Sequence, residues 1–287
     1  MGMADSGQQQ VIAQEQGRRH ALKHWARTII RGNGGIRTVA TRLTDVRAWG
    51  EGTITSAGRA NRAYIRQFKD IHAGRRCVII GNGPSLKDTD LSLLRTEITF
   101  GLNRIYLMFD ELGFETTFHV VINNLVVEQC ADDLRRIKAP LFTTTPNRKF
   151  LAGADTMAYL SKLVGPRFSI DASHGIWEGS TVTYVAMQLA HYMGFSQVIL
   201  VGVDHRFAVS GRPHQVVESA GPDASHFDPR YFAKGFRWHL PDLETSELAY
   251  GLARRQFEKD GRTIVDATVD GALTVFPKLP LEEALGL

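Results

Sequence analysis

Residues 77–86 read Cys-Val-Ile-Ile-Gly-Asn-Gly-Pro-Ser-Leu, an apolar, β-branched run that stops abruptly at a glycine-rich turn. Two glycines one residue apart let a backbone turn tightly and approach another group with no Cβ in the way. The N–H groups of such a turn, or of a helix that follows it, form a ready site for an anion. This combination predicts the first strand-to-loop crossover of an α/β fold, with a phosphate-bearing ligand above it. A tight turn without a ligand would look the same in isolation, so the rest of the chain has to decide.

From Arg75 onward, apolar strand patterns alternate with helical ones, as in a parallel sheet covered on both faces. Strands are expected near 77–80, 97–101, 118–122, 140–144, 167–170, 197–202 and 262–265. Helices are expected near 60–68, 104–112, 126–136, 155–164, 180–193 and 243–260. The predicted architecture is a doubly wound α/β domain with a mostly parallel sheet over residues 70–287, preceded by a basic helical extension over 1–69. The segment 203–242 interrupts the alternation. It is rich in Gly, Pro, His and Arg, and a long loop of this kind in a compact domain is usually functional or disordered. Its aromatic and charged content favours an ordered flap.

Charge is unevenly spread along the 287 residues. Residues 1–70 carry 12 Lys or Arg against 5 Asp or Glu, although the whole chain is only +4. Arg19, Lys23, Arg27 and Arg31 repeat every four residues, which would place them in one stripe on a helix over 17–31. Such a helix could lie on an anionic membrane surface, giving peripheral contact, or pack its apolar face on the main domain. The stripe lacks a nucleic-acid reading motif, so no nucleic-acid partner is expected. No apolar run is long enough to span a membrane, and residues 1–16 lack the apolar core of a secretion signal; a cytoplasmic protein is expected. Cys77 and Cys130 are the only cysteines, too few for a disulfide framework or a cysteine-based metal site.

Several polar residues are placed where a ligand would sit. In open α/β sheets, ligands bind beyond the carboxyl ends of strands. Asp204 follows the strand near 197–202 and would share a layer with Gly81, Asn82, Gly83, Pro84 and Ser85. Asn103 follows the second strand, and Asn123 and Asn124 end the third; an amide there can read a base or a sugar hydroxyl. Gly179, Ser180 and Thr181 enter a helix and would suit a phosphate or carboxylate. No Walker-type phosphate loop is present, and the Gly81-x-Gly83 turn lacks the third glycine of the dinucleotide fingerprint. Asp88 and Asp90 have metal-binding spacing but also suit a helix start. No metal site is expected from the histidines, whose spacing is irregular.

The ordered set Gly81-Asn82-Gly83-Pro84-Ser85-Leu86, Gly101-Leu102-Asn103-Arg104, Gly179-Ser180-Thr181 and Gly202-Val203-Asp204 resembles a known family over roughly residues 68–270. It is the family named for archaeal 6-hydroxymethylpterin diphosphokinase, which includes motility-associated factors that glycosylate flagellin. The chain is also similar to bacterial lipooligosaccharide sialyltransferases. The resemblance implies a Rossmann-like fold and a nucleotide-sugar donor, with no metal or other cofactor. It implies that Asn82 and Asn103 contact the nucleotide or sugar, that Ser180 contacts the donor, and that His239, just before a late helix, is the general base. Where the sialyltransferases carry phosphate-supporting tyrosines after Gly-x-Asp, this chain has His205, Arg206 and Phe207. Arg206, with Arg237, is expected to offset the phosphate charge instead.

Three functions follow as expectations. The first is a glycosyltransferase moving a sugar from a nucleotide donor to a glycan or glycoconjugate, in surface-polysaccharide assembly. The second is a pyrophosphokinase of the pterin type, which would need Mg²⁺ held by Asp204 with Asp88 or Asp90. The third is a non-catalytic nucleotide-binding protein. If His239 proves structural, His226 is the next candidate for the base.

Overall fold

The computed structural model describes residues 45–46, 50, 53–152, 156–208 and 211–287. The chain divides into two units, Met1–Val46 and Arg47–Leu287, and the architecture below belongs to the second. The basic stripe from Arg19 to Arg31 lies outside the described residues.

Among the described residues, seven parallel strands form one sheet. They are β1 (Arg76–Ile80), β2 (Thr99–Leu102), β3 (Phe118–Val120), β4 (Leu141–Thr144), β5 (Met157–Leu160), β6 (Gln197–Val201) and β9 (Thr263–Asp266). A separate antiparallel ribbon, β7 (Val216–Glu218) with β8 (Arg237–His239), lies within the 203–242 segment. The sheet order is β5-β4-β3-β2-β1-β6-β9. The chain therefore builds outward from β1 on one side, then returns to lay β6 on its other side, with Val78 opposite both Thr99 and Ile199. This reversal between β1 and β6 is the topological switch point at which an open α/β sheet leaves a crevice at its carboxyl edge.

The helices are α1 (Ser56–Arg66), α2 (Phe109–Leu112), α3 (Asn124–Gln129), α4 (Ala131–Arg136), α5 (Arg148–Leu151), α6 (Val182–Tyr192), α7 (Leu243–Lys259) and α8 (Leu281–Leu285). Side chains of the central strands alternate between two cores. Ile79 and Leu200 face the core formed with α1, α6 and α7, while Val78, Ile80 and Val201 face the one formed with α2, α3, α4 and α8. Helix α6 is apolar nearly all round and buried from Thr183 to Tyr192, as a central layer helix must be. None of the described helices is long and apolar enough to cross a membrane.

Two predicted elements are corrected. Residues 155–164 read as a helix because Met, Ala and Leu are good helix formers, but Met157–Leu160 is the edge strand β5. Pairing with β4, Leu141 opposite Met157 through Thr144 opposite Leu160, overrides the local preference. The predicted strand at 167–170 is irregular. Its backbone groups are taken by side chains of α6, Tyr184 Oη donating to the Arg167 carbonyl at 2.8 Å and the Ser169 N–H donating to Gln188 Oε1 at 3.1 Å.

The outer edge of β5 is closed by a single amide. Asn61 on α1 donates from Nδ2 to the Tyr159 carbonyl at 2.9 Å and accepts the Tyr159 N–H at Oδ1 at 2.8 Å, as a neighbouring strand would. An exposed sheet edge invites pairing with other chains, and this contact caps it. Replacing Asn61 by Ala is expected to destabilise the fold by about 1–3 kcal/mol in urea unfolding and to speed exchange of the Tyr159 amide. Wild-type values for both would show that the edge is closed by something else.

Candidate functional site

A cavity of about 550 Å³ opens at the carboxyl edge of the sheet, over the β1/β6 switch point. That volume falls in the range of small-molecule sites. Its floor is made by the loops after β1, β2, β3 and β6, one wall by the start of α6, and its roof by the flap carrying β7 and β8.

The loops after β1 and β6 are bonded to each other. The Gly81 N–H donates to the Val201 carbonyl and the Gly83 N–H to the Gly202 carbonyl, both at 2.8 Å. Asp204 reaches across and accepts the Ser85 hydroxyl at 2.7 Å and the Ser85 N–H at 3.2 Å. A Cβ on Gly81 would lie 2.2 Å from the Gly202 oxygen, and one on Gly83 would lie 1.7 Å from Asp204 Oδ2. These glycines are therefore demanded by the contact between the two loops. Ser85 belongs to that contact too, and both Ser85 and Pro84 lie outside the cavity lining, whereas Gly81, Asn82, Gly83 and Asp204 line it.

Two asparagines stand out on the floor. Asn82 is 9% exposed, its carbonyl accepts the Phe227 N–H at 3.0 Å, and its side-chain Oδ1 is buried without a partner. Asn103 has the left-handed φ of +46°, and its Oδ1 is likewise buried and unpartnered. His119 lies beneath it, 0% exposed, and donates from Nε2 to the Asn103 carbonyl at 2.7 Å. That bond places the ring proton on Nε2 and leaves Nδ1 buried without a partner. Buried amide oxygens are rarely left unpaired, and both of these belong to residues that line the one cavity.

Asn123 and Asn124, at the start of α3, also line the cavity, and Asn123 caps that helix by accepting the Leu125 N–H at 3.0 Å. At the wall, Gly179 and Ser180 are both left-handed, with φ of +54° and +59°, and Thr181 caps α6. The Thr181 hydroxyl also meets the buried Tyr250 hydroxyl at 3.2 Å. The first N–H groups of α6 have no partner within the helix and give this end of the cavity a positive dipole. Among the described residues, four non-glycine residues with positive φ line the cavity, namely Asn103, Ser180, His205 and His214. Left-handed backbone costs roughly 1–2 kcal/mol per residue, and strain gathered at one cavity is the pattern of a functional site.

His239 lines the cavity from β8, as does Arg206, whose guanidinium donates to the Asp270 carbonyl. Burial and the nearby charge of His214 hold the His239 imidazole below its ordinary pKa, so it is neutral at pH 7. Arg237 lies outside the lining: its N–H donates to Gln129 Oε1 at 2.9 Å and its guanidinium faces Glu128 at 3.4 Å, on α3. Asp88 and Asp90 are also outside the lining, and Asp90 caps a 3₁₀ turn through Ser92.

Sequence reasoning missed part of the lining. Lys162 and Glu178 form an ion pair of 2.7 Å at the cavity beside Trp177. Lys162 was hidden by the helical reading of 155–164. Tyr231 comes from the flap, where spacing offered no signal, and it lines the cavity together with His226, the alternative base named above.

A family model described as 6-hydroxymethylpterin diphosphokinase MptE-like matches residues 56–210. The chain belongs to that family. The match runs from α1 through the β6 loop and includes Gly81, Asn82, Asn103, Ser180 and Asp204, but ends before β7. No curated protein matches the sequence. Among solved structures, the MAf glycosyltransferase from Magnetospirillum magneticum AMB-1 is similar at 15% identity with a TM-score of 0.47. The similarity covers 79% of this chain and 38% of that one, so the chain spans well under half of that protein's length.

Two measurements test the site's construction. Gly83→Ala is expected to cost about 1–3 kcal/mol by crowding the Asp204 carboxylate. Combined with Asp204→Ala, the loss should fall short of the sum by at least about 1 kcal/mol; strict additivity would show that the two residues do not meet. His119 gives a pH test. Burial lowers its pKa to about 4, so between that value and the unfolded value near 6.5 the unfolded chain binds the extra proton and stability decreases as the pH is lowered. His119 should account for about 2 kcal/mol of stability lost between pH 7 and pH 5. In His119→Gln, whose amide can still donate to the Asn103 carbonyl, that part of the pH dependence should disappear. An unchanged slope would place the effect elsewhere, His72, His191 and His239 being shifted in the same direction.

Proposed function

We propose that the protein is a glycosyltransferase that binds a nucleotide-activated sugar in this cavity and passes the sugar to a hydroxyl of a glycan or glycoconjugate. The observation that carries the reading is the pair of buried, unpartnered amide oxygens of Asn82 and Asn103 in a cavity that also presents a neutral imidazole. Those oxygens can accept hydrogen bonds from ribose hydroxyls or from the amino group of a base. The phosphate would lie by the amino end of α6, at Ser180, where helix N–H groups favour an anion. Arg206 adds a positive charge at the same cavity.

In the reaction, His239 takes the proton of the acceptor hydroxyl as its oxygen bonds to the sugar carbon. The bond from that carbon to the phosphate oxygen breaks, and the electron pair leaves with the nucleotide. A neutral imidazole is the form that can act as a base, and its lowered pKa keeps it available down to mildly acidic pH.

The family's name supports a second reading, transfer of diphosphate from ATP to a hydroxymethyl group. That chemistry uses a divalent ion held by carboxylates. Of Asp88, Asp90 and Asp204, only Asp204 lines the cavity, and both its oxygens accept from Ser85. The residues present fit the ion poorly, which favours the first reading.

A thermal-shift panel separates the two. Cytidine or uridine phosphates and their sugars should raise the melting temperature without Mg²⁺; a shift seen only with ATP and Mg²⁺ would support the diphosphokinase. With the donor so found, His239→Asn should lower turnover by about 10²-fold or more, with nucleotide binding and melting temperature nearly unchanged. Turnover retained per folded molecule would show that His239 only anchors the flap.

A further inference from the structure

The flap carries a second imidazole with better support than His239. Asp223 and His226 form a dyad in which Nδ1 of His226 donates to Asp223 Oδ2 at 2.7 Å, and their side chains are only 11% and 5% exposed. Asp223 is itself fixed, because its Oδ1 accepts the Ser225 N–H at 2.7 Å. The imidazole stacks on Tyr231 with centroids 3.9 Å apart and planes 8° from parallel, and its edge meets Phe232 at 4.9 Å. Every degree of freedom of this ring is thus held. Its Nε2 takes no partner among the described residues, is not sealed in the interior, and belongs to a residue that lines the cavity.

The position of the dyad says which end of a nucleotide it would meet. The residue after it, Phe227, donates its N–H to the Asn82 carbonyl, and the residue before it, Ser225, accepts the Ala208 N–H at its hydroxyl at 3.1 Å. His226 is therefore suspended over the loop at the carboxyl end of β1, the edge where such sheets hold phosphates. His239 lines the cavity from β8 beside His214, which in turn pairs with Asp242 at 3.3 Å.

We propose that His226, oriented by Asp223, is a second catalytic residue whose Nε2–H donates to the phosphate oxygen that departs with the nucleotide. This inference rests on the glycosyl-transfer reading above and deepens it. As the sugar–oxygen bond breaks, negative charge grows on that oxygen, and a protonated imidazole hydrogen-bonded to it opposes the charge. The Asp223 carboxylate offsets the charge of the imidazolium. The proton stays on Nε2, while the acceptor's proton goes to His239, so the two histidines share the step without exchanging roles.

The test compares nucleotides with nucleosides by calorimetry, using cytidine and uridine with their 5′-monophosphates. His226→Asn keeps an amide that can donate to Asp223 but has nothing at the Nε2 position. It should weaken monophosphate binding by about 10- to 100-fold and leave nucleoside binding unchanged. His226→Gln, which can return an N–H near Nε2, should recover part of the loss. Equal losses for nucleoside and monophosphate, or no loss in either, would overturn the proposal and leave the dyad as an anchor of the flap. If neither nucleotide binds the wild-type protein, the glycosyl-transfer reading fails and takes this inference with it. Melting temperatures of both variants within a few degrees of wild type would exclude unfolding as the cause of a loss.

Discussion

The carboxylate of Asp204 ties the end of β6 to the loop after β1, and the site is assembled on that tie. Both its oxygens accept from Ser85, and its own carbonyl accepts the Ala272 N–H at 2.9 Å. One residue therefore joins three segments far apart in the chain at the switch point of the sheet. The backbone bonds from Gly81 and Gly83 to the β6 loop hold only because neither glycine carries a Cβ. A glycine-rich turn is usually explained by the approach of a ligand. Here the approaching group is another loop of the same protein, and Asn82 between the two glycines lines the cavity.

The flap is anchored to this frame by groups of two kinds. Its backbone reaches the floor at Phe227, and its apolar residues continue the core below, with Phe227, Tyr231, Phe232, Trp238 and Leu240 all buried. Arg104 holds it from the β2 side: its guanidinium donates to the carbonyls of Arg230 and Tyr231 and lies 5.1 Å from the Phe236 ring centroid. Stacked aromatic pairs such as Phe232 with Trp238, 4.9 Å apart, add attraction beyond the area they bury. A segment with few regular hydrogen bonds is thus fixed by side chains. That fixing aims His226 and His239 into one cavity from positions 13 residues apart.

Much of the fold was legible because parallel strands buried on both faces must be continuously apolar. Val78–Ile80 and Val198–Val201 could be little else. The edge strand β5 was not legible: its Met, Ala and Leu suit a helix equally well, and only β4 on one side and Asn61 on the other make it a strand. The same limit applied to 167–170, whose fate depended on Gln188 and Tyr184 from α6.

For the site, residues at strand ends and helix starts could be named in advance, since position in an α/β sheet decides what its carboxyl edge presents. Asn82, Asn103, Asn124, Ser180 and Asp204 all line the cavity for that reason. The flap obeyed no such periodic rule. Arg237 and His239 are two residues apart on β8, yet the first faces Glu128 on α3 and the second lines the cavity. The chain by itself determined the parallel core, its glycine turn and the polar layer at the carboxyl edge, because burial and backbone geometry act locally. Tertiary structure alone decided that Asp204 would be a tie, that Arg237 would turn away and that Asp223 would orient His226. Each of those outcomes depends on a partner whose distance in space the order of residues does not encode.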